Sequence, residues 1–189
     1  ATIKPTFSVG EYWDTNLSAV TAWLNATRVN DTIQSAAFDF PLKDHINACC
    51  NTGAGWNLLG SSCLASEGAY RRYSVTFVDN HDTYRDQNKV TSNVLAANAF
   101  ILSMPGTPCI FLPHWTQYKA DIKQMINARK LVGITSESSF QTLDGTHSAY
   151  YAAAVEGSTG NHLLIAMGQG YAAPSDYKEI VSGTNYAMY

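Results

Sequence analysis

Along the first 134 residues, short apolar runs alternate with stretches of helical spacing. Residues 6–10 form a β-prone run ending at Glu11, and residues 18–27 follow with Val20, Trp23 and Leu24 on one helix face. Residues 36–40 read as a short buried strand closed by Pro41, followed by a helix over 42–49. The stretch 51–68 predicts a long loop with Gly53, Gly55 and Gly60 at its turns. Trp56 inside it reads either as a hydrophobic plug or as a stacking surface. Residues 74–78 make a third strand, which delivers Asn80, His81 and Asp82 to its C-terminal end. A polar stretch, 84–89, leads to a helix over 92–103 that is apolar on most faces and therefore expected to be buried. Pro105-Gly106 ends it, residues 109–112 form a fourth strand, and 118–132 a helix with Ile122, Met125, Ile126 and Leu131 on one side. Four strand–helix units in strict alternation predict a parallel β/α fold.

Beyond about residue 134 no helical period survives. Runs at 150–155, 163–167 and 177–181 are short, β-prone and separated by Gly, Ser and Asn turns, and 186–189 reads as a last strand. This predicts a small antiparallel β domain over 135–189, after an α/β unit over 1–134.

Composition narrows the partners. A net charge of −3 without basic clusters argues against nucleic acid and anionic membranes, and no apolar run is long enough to span a bilayer. Eleven Tyr and four Trp supply aromatic faces of the kind that stack on sugar rings, although most such residues serve cores and strands. Cys49, Cys50, Cys63 and Cys109 lack zinc-site spacing. Cys109, in an apolar strand, reads as a buried thiol, while a bridge from Cys63 to Cys49 or Cys50 would suit a secreted protein. No Asp/Asn-rich loop has calcium-ligand spacing, so no metal ligands are assigned. Sequons at Asn16, Asn25 and Asn30 matter only in a eukaryotic secretory pathway.

Two strand ends carry the chemistry. In Gly10-Glu11-Tyr12-Trp13-Asp14 and Phe77-Val78-Asp79-Asn80-His81-Asp82-Thr83, a β-prone run ends in a carboxylate beside aromatic or imidazole groups. Carboxylates at the ends of separate strands are what glycosidic-bond hydrolysis requires. A barrel of parallel strands gathers such residues at its C-terminal face. Glu11, flanked by Tyr12 and Trp13, is expected to be partly desolvated, which keeps a carboxyl protonated as an acid donor needs. Asp82, in a polar turn, is expected to stay ionised through hydrogen bonding.

These two segments, with Phe38-Asp39-Phe40-Pro41-Leu42 and Pro105-Gly106-Thr107-Pro108-Cys109-Ile110-Phe111 in the same order, resemble the motifs of barrel strands five to eight in the α-amylase family, most closely its plant and archaeal members. The resemblance implies the C-terminal half of a (β/α)8 TIM barrel followed by a C-terminal β domain. It also implies that Glu11 is the general acid/base and that Asp82 stabilises the transition state and grips ring hydroxyls. His81 is expected to hydrogen-bond the same sugar, with Tyr12, Trp13 and Asn80 as further substrate contacts. The implied parent reaction is retaining endo-hydrolysis of α-1,4-glucans such as starch, outside the cytoplasm, with structural calcium in the intact enzyme. Where plant members carry small residues after His-Asp-Thr, this chain has Tyr84-Arg85-Asp86.

The family's strand-four nucleophile motif does not occur in the sequence, so the chain by itself is expected to be inactive. A half barrel also leaves two strand edges unpaired, which predicts self-association or pairing with a complementary half. Two other readings stand beside this one: a non-catalytic carbohydrate-binding or regulatory protein, and an α-glucan transglycosylase built on the same residues.

Overall fold

The computed structural model describes residues 5–189. Its first sheet is four-stranded and wholly parallel, in the order β1-β2-β3-β4: β1 is Val9–Gly10, β2 Ala36–Phe38, β3 Ser74–Phe77 and β4 Thr107–Cys109. Helices fill the connections, α1 (Leu17–Ala26), α2 (Phe40–Thr52), α3 (His81–Arg85), α4 (Val94–Ser103) and α5 (Leu112–Val132). Chain order equals spatial order, so the C-terminal ends of all four strands lie on one edge.

Local chemistry sets the boundaries. Asn16 caps α1, its side chain accepting from the Ser18 N–H at 2.9 Å. Asp39 caps α2, Pro41 sits in its first turn, and Gly53 ends it in the left-handed conformation. The helix expected over 118–132 is the second part of α5, because Tyr118 breaks the helical path with φ −122° and ψ 30°. The expected loop over 51–68 is partly helical, since α2 runs to Thr52 and a 3₁₀ turn covers Trp56–Gly60. Trp56 proves to be a plug: it is 1% exposed and its indole N–H donates to the Gly53 carbonyl at 3.2 Å.

The second sheet is antiparallel, in the order β5-β6-β7-β9-β8, with β5 Phe140–Asp144, β6 Tyr150–Glu156, β7 His162–Gly168, β8 Val181–Gly183 and β9 Tyr186–Met188. Strand β5 lies outside the expected set. The strand expected at 177–181 is instead irregular chain leading into β8. One hydrophobic core joins this sheet to the helices: Phe100 and Ile101 of α4 and Ile122 and Met125 of α5 share it with Tyr151, Val155 and Ile165. A smaller cluster of Val20, Leu24, Ile33, Ala37 and Leu64 seats α1.

The cysteines depart from expectation. None is bonded to another; Cys49, Cys50 and Cys63 are buried free thiols, and Cys109 is exposed. Burial pushes the Cys49 thiol up to about 12 and raises Cys50 and Cys63 as well. Cys109 is exposed because β4 is an edge strand, with no neighbour among the described residues on its outer side.

Candidate active site

The site grows from the C-terminal edge of the parallel sheet. Gly10 brings Glu11 there under a tight constraint: a Cβ at residue 10 would lie 2.2 Å from the Trp23 ring. Tyr12 then stacks on Trp23, with centroids 6.1 Å apart. Trp13 stacks on Phe40 at 4.9 Å, and Phe40 meets Phe77 edge-on at 5.1 Å. Each flanking ring therefore has a face in packing, although Trp13 stays 44% exposed. Glu11 itself is exposed, so the desolvation expected from Tyr12 and Trp13 is not supplied by them.

The third strand contributes through a helix rather than the open polar turn expected. Asn80 caps α3, its side-chain oxygen accepting from the Asp82 N–H at 3.0 Å and the Thr83 N–H at 2.8 Å, while Thr83 Oγ1 accepts from the Asn80 N–H at 2.9 Å. The other end of the Asn80 amide donates to Glu11 Oε1 at 3.1 Å, across 69 residues of sequence. One side chain thus fixes the helix carrying His81 and Asp82 and ties it to Glu11. Asp82 is paired with Arg85 and has His81 Nε2 at 3.3 Å, with the His81 side chain 79% exposed. Arg85, one of the residues that replace small ones after His-Asp-Thr, therefore binds the carboxylate expected to hold sugar. Lys89 covers the Tyr84 ring at 3.6 Å.

Beneath this surface lies a buried polar layer that linear reading did not single out. Asp39, at the end of β2, is fully buried and accepts from the Leu42, Leu64 and Ala65 N–H groups and from the Ser74 hydroxyl, at 2.9–3.2 Å. Burial pushes its carboxyl up, against these hydrogen bonds. Asp79, just before Asn80, accepts from Lys43 Nζ at 2.9 Å, from Thr83 Oγ1 at 3.2 Å, and from the Val90 N–H and His114 Nε2 at 3.3 Å. Burial raises the Asp79 carboxyl, but His114 and Lys43 outweigh it and hold the group below its ordinary value. Burial draws Lys43 down, with Asp79 opposing. With donors on every side, Asp79 is held as the carboxylate of an ion pair. Two signals in the sequence could have flagged the layer: a second Asp in Phe77 to Thr83, and a Lys in the first turn of α2, directly after Phe40-Pro41-Leu42.

Among the described residues no three His, Cys, Asp or Glu side chains gather as a cation site. Among the same described residues no helix is long and apolar enough to cross a membrane. Two surface grooves beside the antiparallel sheet are not lined by Glu11, His81 or Asp82.

Comparison with known proteins bears on this arrangement. No family model matches the chain. It is 30% identical to probable α-amylase 2 of Arabidopsis thaliana over 98% of its length and 49% of that protein's. It is 35% identical to the α-amylase of Bacillus licheniformis, over 67% of the chain and 25% of that protein. Among solved structures, the cyclic α-maltosyl-(1→6)-maltose hydrolase of Arthrobacter globiformis superposes with a TM-score of 0.61 at 13% identity, covering 87% of this chain and 42% of that one, a likeness of fold alone. The chain thus spans about half the length of the Arabidopsis relative. The α-amylase type B isozyme of Hordeum vulgare is 31% identical over 72% of the chain and is itself matched over 94% of its length. That shared extent, at that identity, places the chain in the α-amylase family.

Proposed function

We propose that this chain carries the acid/base half of a retaining α-1,4-glucan hydrolase site, on strands five to eight of an eight-stranded barrel. The observation that carries the reading is the Asn80 bridge, which holds Glu11 and the His81–Asp82 turn as one unit although they come from different strands. In this reading Glu11 protonates the departing glycosidic oxygen and later takes a proton from water. Asp82 and His81, side by side, hydrogen-bond the hydroxyls of the sugar being cleaved. The exposed rim of Trp13 continues the surface toward the leaving group.

Retention requires a second carboxylate about 5–5.5 Å from the first, to form the glycosyl-enzyme. The other carboxylates of these strand ends are engaged otherwise: Asp39 and Asp79 are buried in filled hydrogen-bond shells, Asp82 is held by Arg85 and His81, and Asp14 accepts from the Asn16 N–H at 2.8 Å. The nucleophile, and the wall that would desolvate Glu11, therefore belong to a complementary surface docking along β1 and β4. Those edges carry exposed apolar groups, with Phe7 56%, Trp13 44% and Leu112 69% exposed.

The test is reducing-sugar release from soluble starch, by the chain alone and by the chain mixed with the N-terminal half of the Arabidopsis relative. No release by the chain and recovery on mixing, abolished by Glu11→Gln, is the expected result. Release by the chain alone, lost in Glu11→Gln, would reveal a nucleophile among these residues and defeat the half-site reading. Recovery that survives Glu11→Gln would remove Glu11 from the acid role.

A further inference from the structure

The Asn80 bridge has a support of its own. Thr83 Oγ1 accepts the Asn80 N–H at 2.9 Å and donates to Asp79 Oδ1 at 3.2 Å. A carboxylate only accepts, so Asp79 takes the one hydrogen of the Thr83 hydroxyl and leaves an oxygen lone pair for Asn80. The aim of the Asn80 cap therefore depends on where Asp79 is held. Lys43 of α2 answers its charge at 2.9 Å, and His114, in the first turn of α5 and 3% exposed, brings Nε2 to 3.3 Å from its other oxygen.

The His114 ring is fixed at both nitrogens. Its Nδ1 lies 3.4 Å from the side-chain nitrogen of Asn98, a fully buried residue of α4. That same nitrogen donates to the Val94 carbonyl at 2.8 Å, so turning the amide over would set two oxygens against each other. This orientation is kept although Asn98 Oδ1 finds no donor. With an N–H facing it, Nδ1 accepts, and the ring proton sits on Nε2, toward the Asp79 carboxylate. Phe111 meets the ring edge-on at 5.5 Å, and Tyr84 of α3 does so at 6.4 Å. We propose that His114 is a positioning residue for the Glu11 site. As the Nε2–H tautomer it fixes Asp79, which orients Thr83 and, through it, the Asn80 cap whose amide holds Glu11. The run from Asn98 through His114, Asp79, Thr83 and Asn80 to Glu11 is hydrogen-bonded at every link. Its catalytic meaning rests on the acid role of Glu11 proposed above; the positioning itself does not.

The experiment follows hydrogen exchange of the Asp82 and Thr83 backbone N–H groups by NMR in the full chain, because the Asn80 side chain is the acceptor of both. His114→Leu keeps bulk and removes the donor, whereas His114→Gln offers an amide that can donate to Asp79 and accept from Asn98. Met125→Ala, a cavity in the same helix within the apolar core, reports plain loss of stability. Exchange at both amides, taken relative to Ala153 in β6, is expected to quicken tenfold or more in His114→Leu. It should stay within threefold of wild type in His114→Gln and Met125→Ala. Asn98→Leu, which leaves the ring but frees Nδ1, is expected to quicken it threefold or more and carries the test where His114→Leu does not fold. Wild-type exchange in a folded Leu variant, no rescue by Gln, or equal quickening in Met125→Ala overturns the proposal. In starch hydrolysis by the mixed halves, His114→Leu is expected to lower kcat tenfold or more with KM within twofold; an unchanged kcat also overturns it. Selective exchange without hydrolysis by the wild-type mixture supports the positioning and refutes only the catalytic reading.

Discussion

Replacing Lys43 with Met tests whether the layer under the candidate site is an ionic lock. The side chains of Lys43 and Asp79 are 4% and 0% exposed and meet at 2.9 Å. Lys43 Nζ also donates to Asn47 Oδ1 at 2.6 Å and to the Asn88 carbonyl at 2.7 Å. Met fills nearly the same volume, so packing changes little while Asp79 loses its cation. Removing one partner of a buried pair costs about 3–5 kcal/mol. Asp79 would keep His114, Thr83 and the Val90 N–H, which puts the expected loss near the lower end, about 3 kcal/mol. For a chain of 189 residues each kcal/mol moves Tm by roughly 2–4 °C, so the midpoint should fall by about 6–12 °C. Calorimetry on the wild type, Lys43→Met, Asp79→Asn and the double variant gives the coupling, expected to exceed about 1 kcal/mol. The pH dependence follows from the lowered Asp79 pKa. Its contribution is present above the ordinary value of 3.8 and is lost as pH falls through the lower folded value, so the wild-type advantage should shrink in acid. A Tm change under about 2 °C, or additive single effects, would refute the ionic lock.

The thiols should separate by reactivity: with an aromatic disulfide reagent at pH 8, Cys109 reacts in the folded chain, while Cys49, Cys50 and Cys63 wait for unfolding. Because burial raises the folded Cys49 thiol to about 12 from an ordinary 9.0, the unfolded chain binds fewer protons between these values, and urea stability should decline as pH rises above about 9. Gly168→Ala should cost about 2–5 kcal/mol in urea melts, since residue 168 has φ +84° and a Cβ there would sit 2.2 Å from the Ala149 carbonyl and 2.6 Å from the Trp56 ring. Sedimentation of the chain should show self-association that a complementary half suppresses; a monodisperse monomer with a sharp melt would count against open edges on β1 and β4.

Much of the fold was legible because its signals are local. The four strand–helix units follow from apolar runs broken by Pro41 and Pro105-Gly106, and the strand bearing Asn80, His81 and Asp82 follows from Val75 to Val78. Strand β5 was missed because it is an edge strand: Gln141, Thr142 and Leu143 are all exposed, so neither face shows the alternation of a half-buried strand. Tyr177 and Ile180 suggested a strand four residues too early, since β propensity at 177–181 is not backed by a partner until Val181 pairs with Met188. The layer of Lys43, Asp79 and His114 joins three elements, and no single window of sequence contains it.

Cys109 makes a different point. Its apolar surroundings predict burial, yet it is exposed, and so are Phe7 and Leu112 beside the same two edges. A strand's apolar pattern describes the neighbours it is suited to pack against, whether or not they are present. Where a strand has both neighbours, as in β3, the pattern and the burial agree, and all four of its residues are buried. They disagree on the outer strands, where a parallel sheet, normally covered on both faces and continued at its edges, stops. In the proposed half-barrel the mismatch falls where a complementary surface would pack. In the half-site reading proposed above, that surface runs along β1 and β4 and brings the carboxylate partner of Glu11.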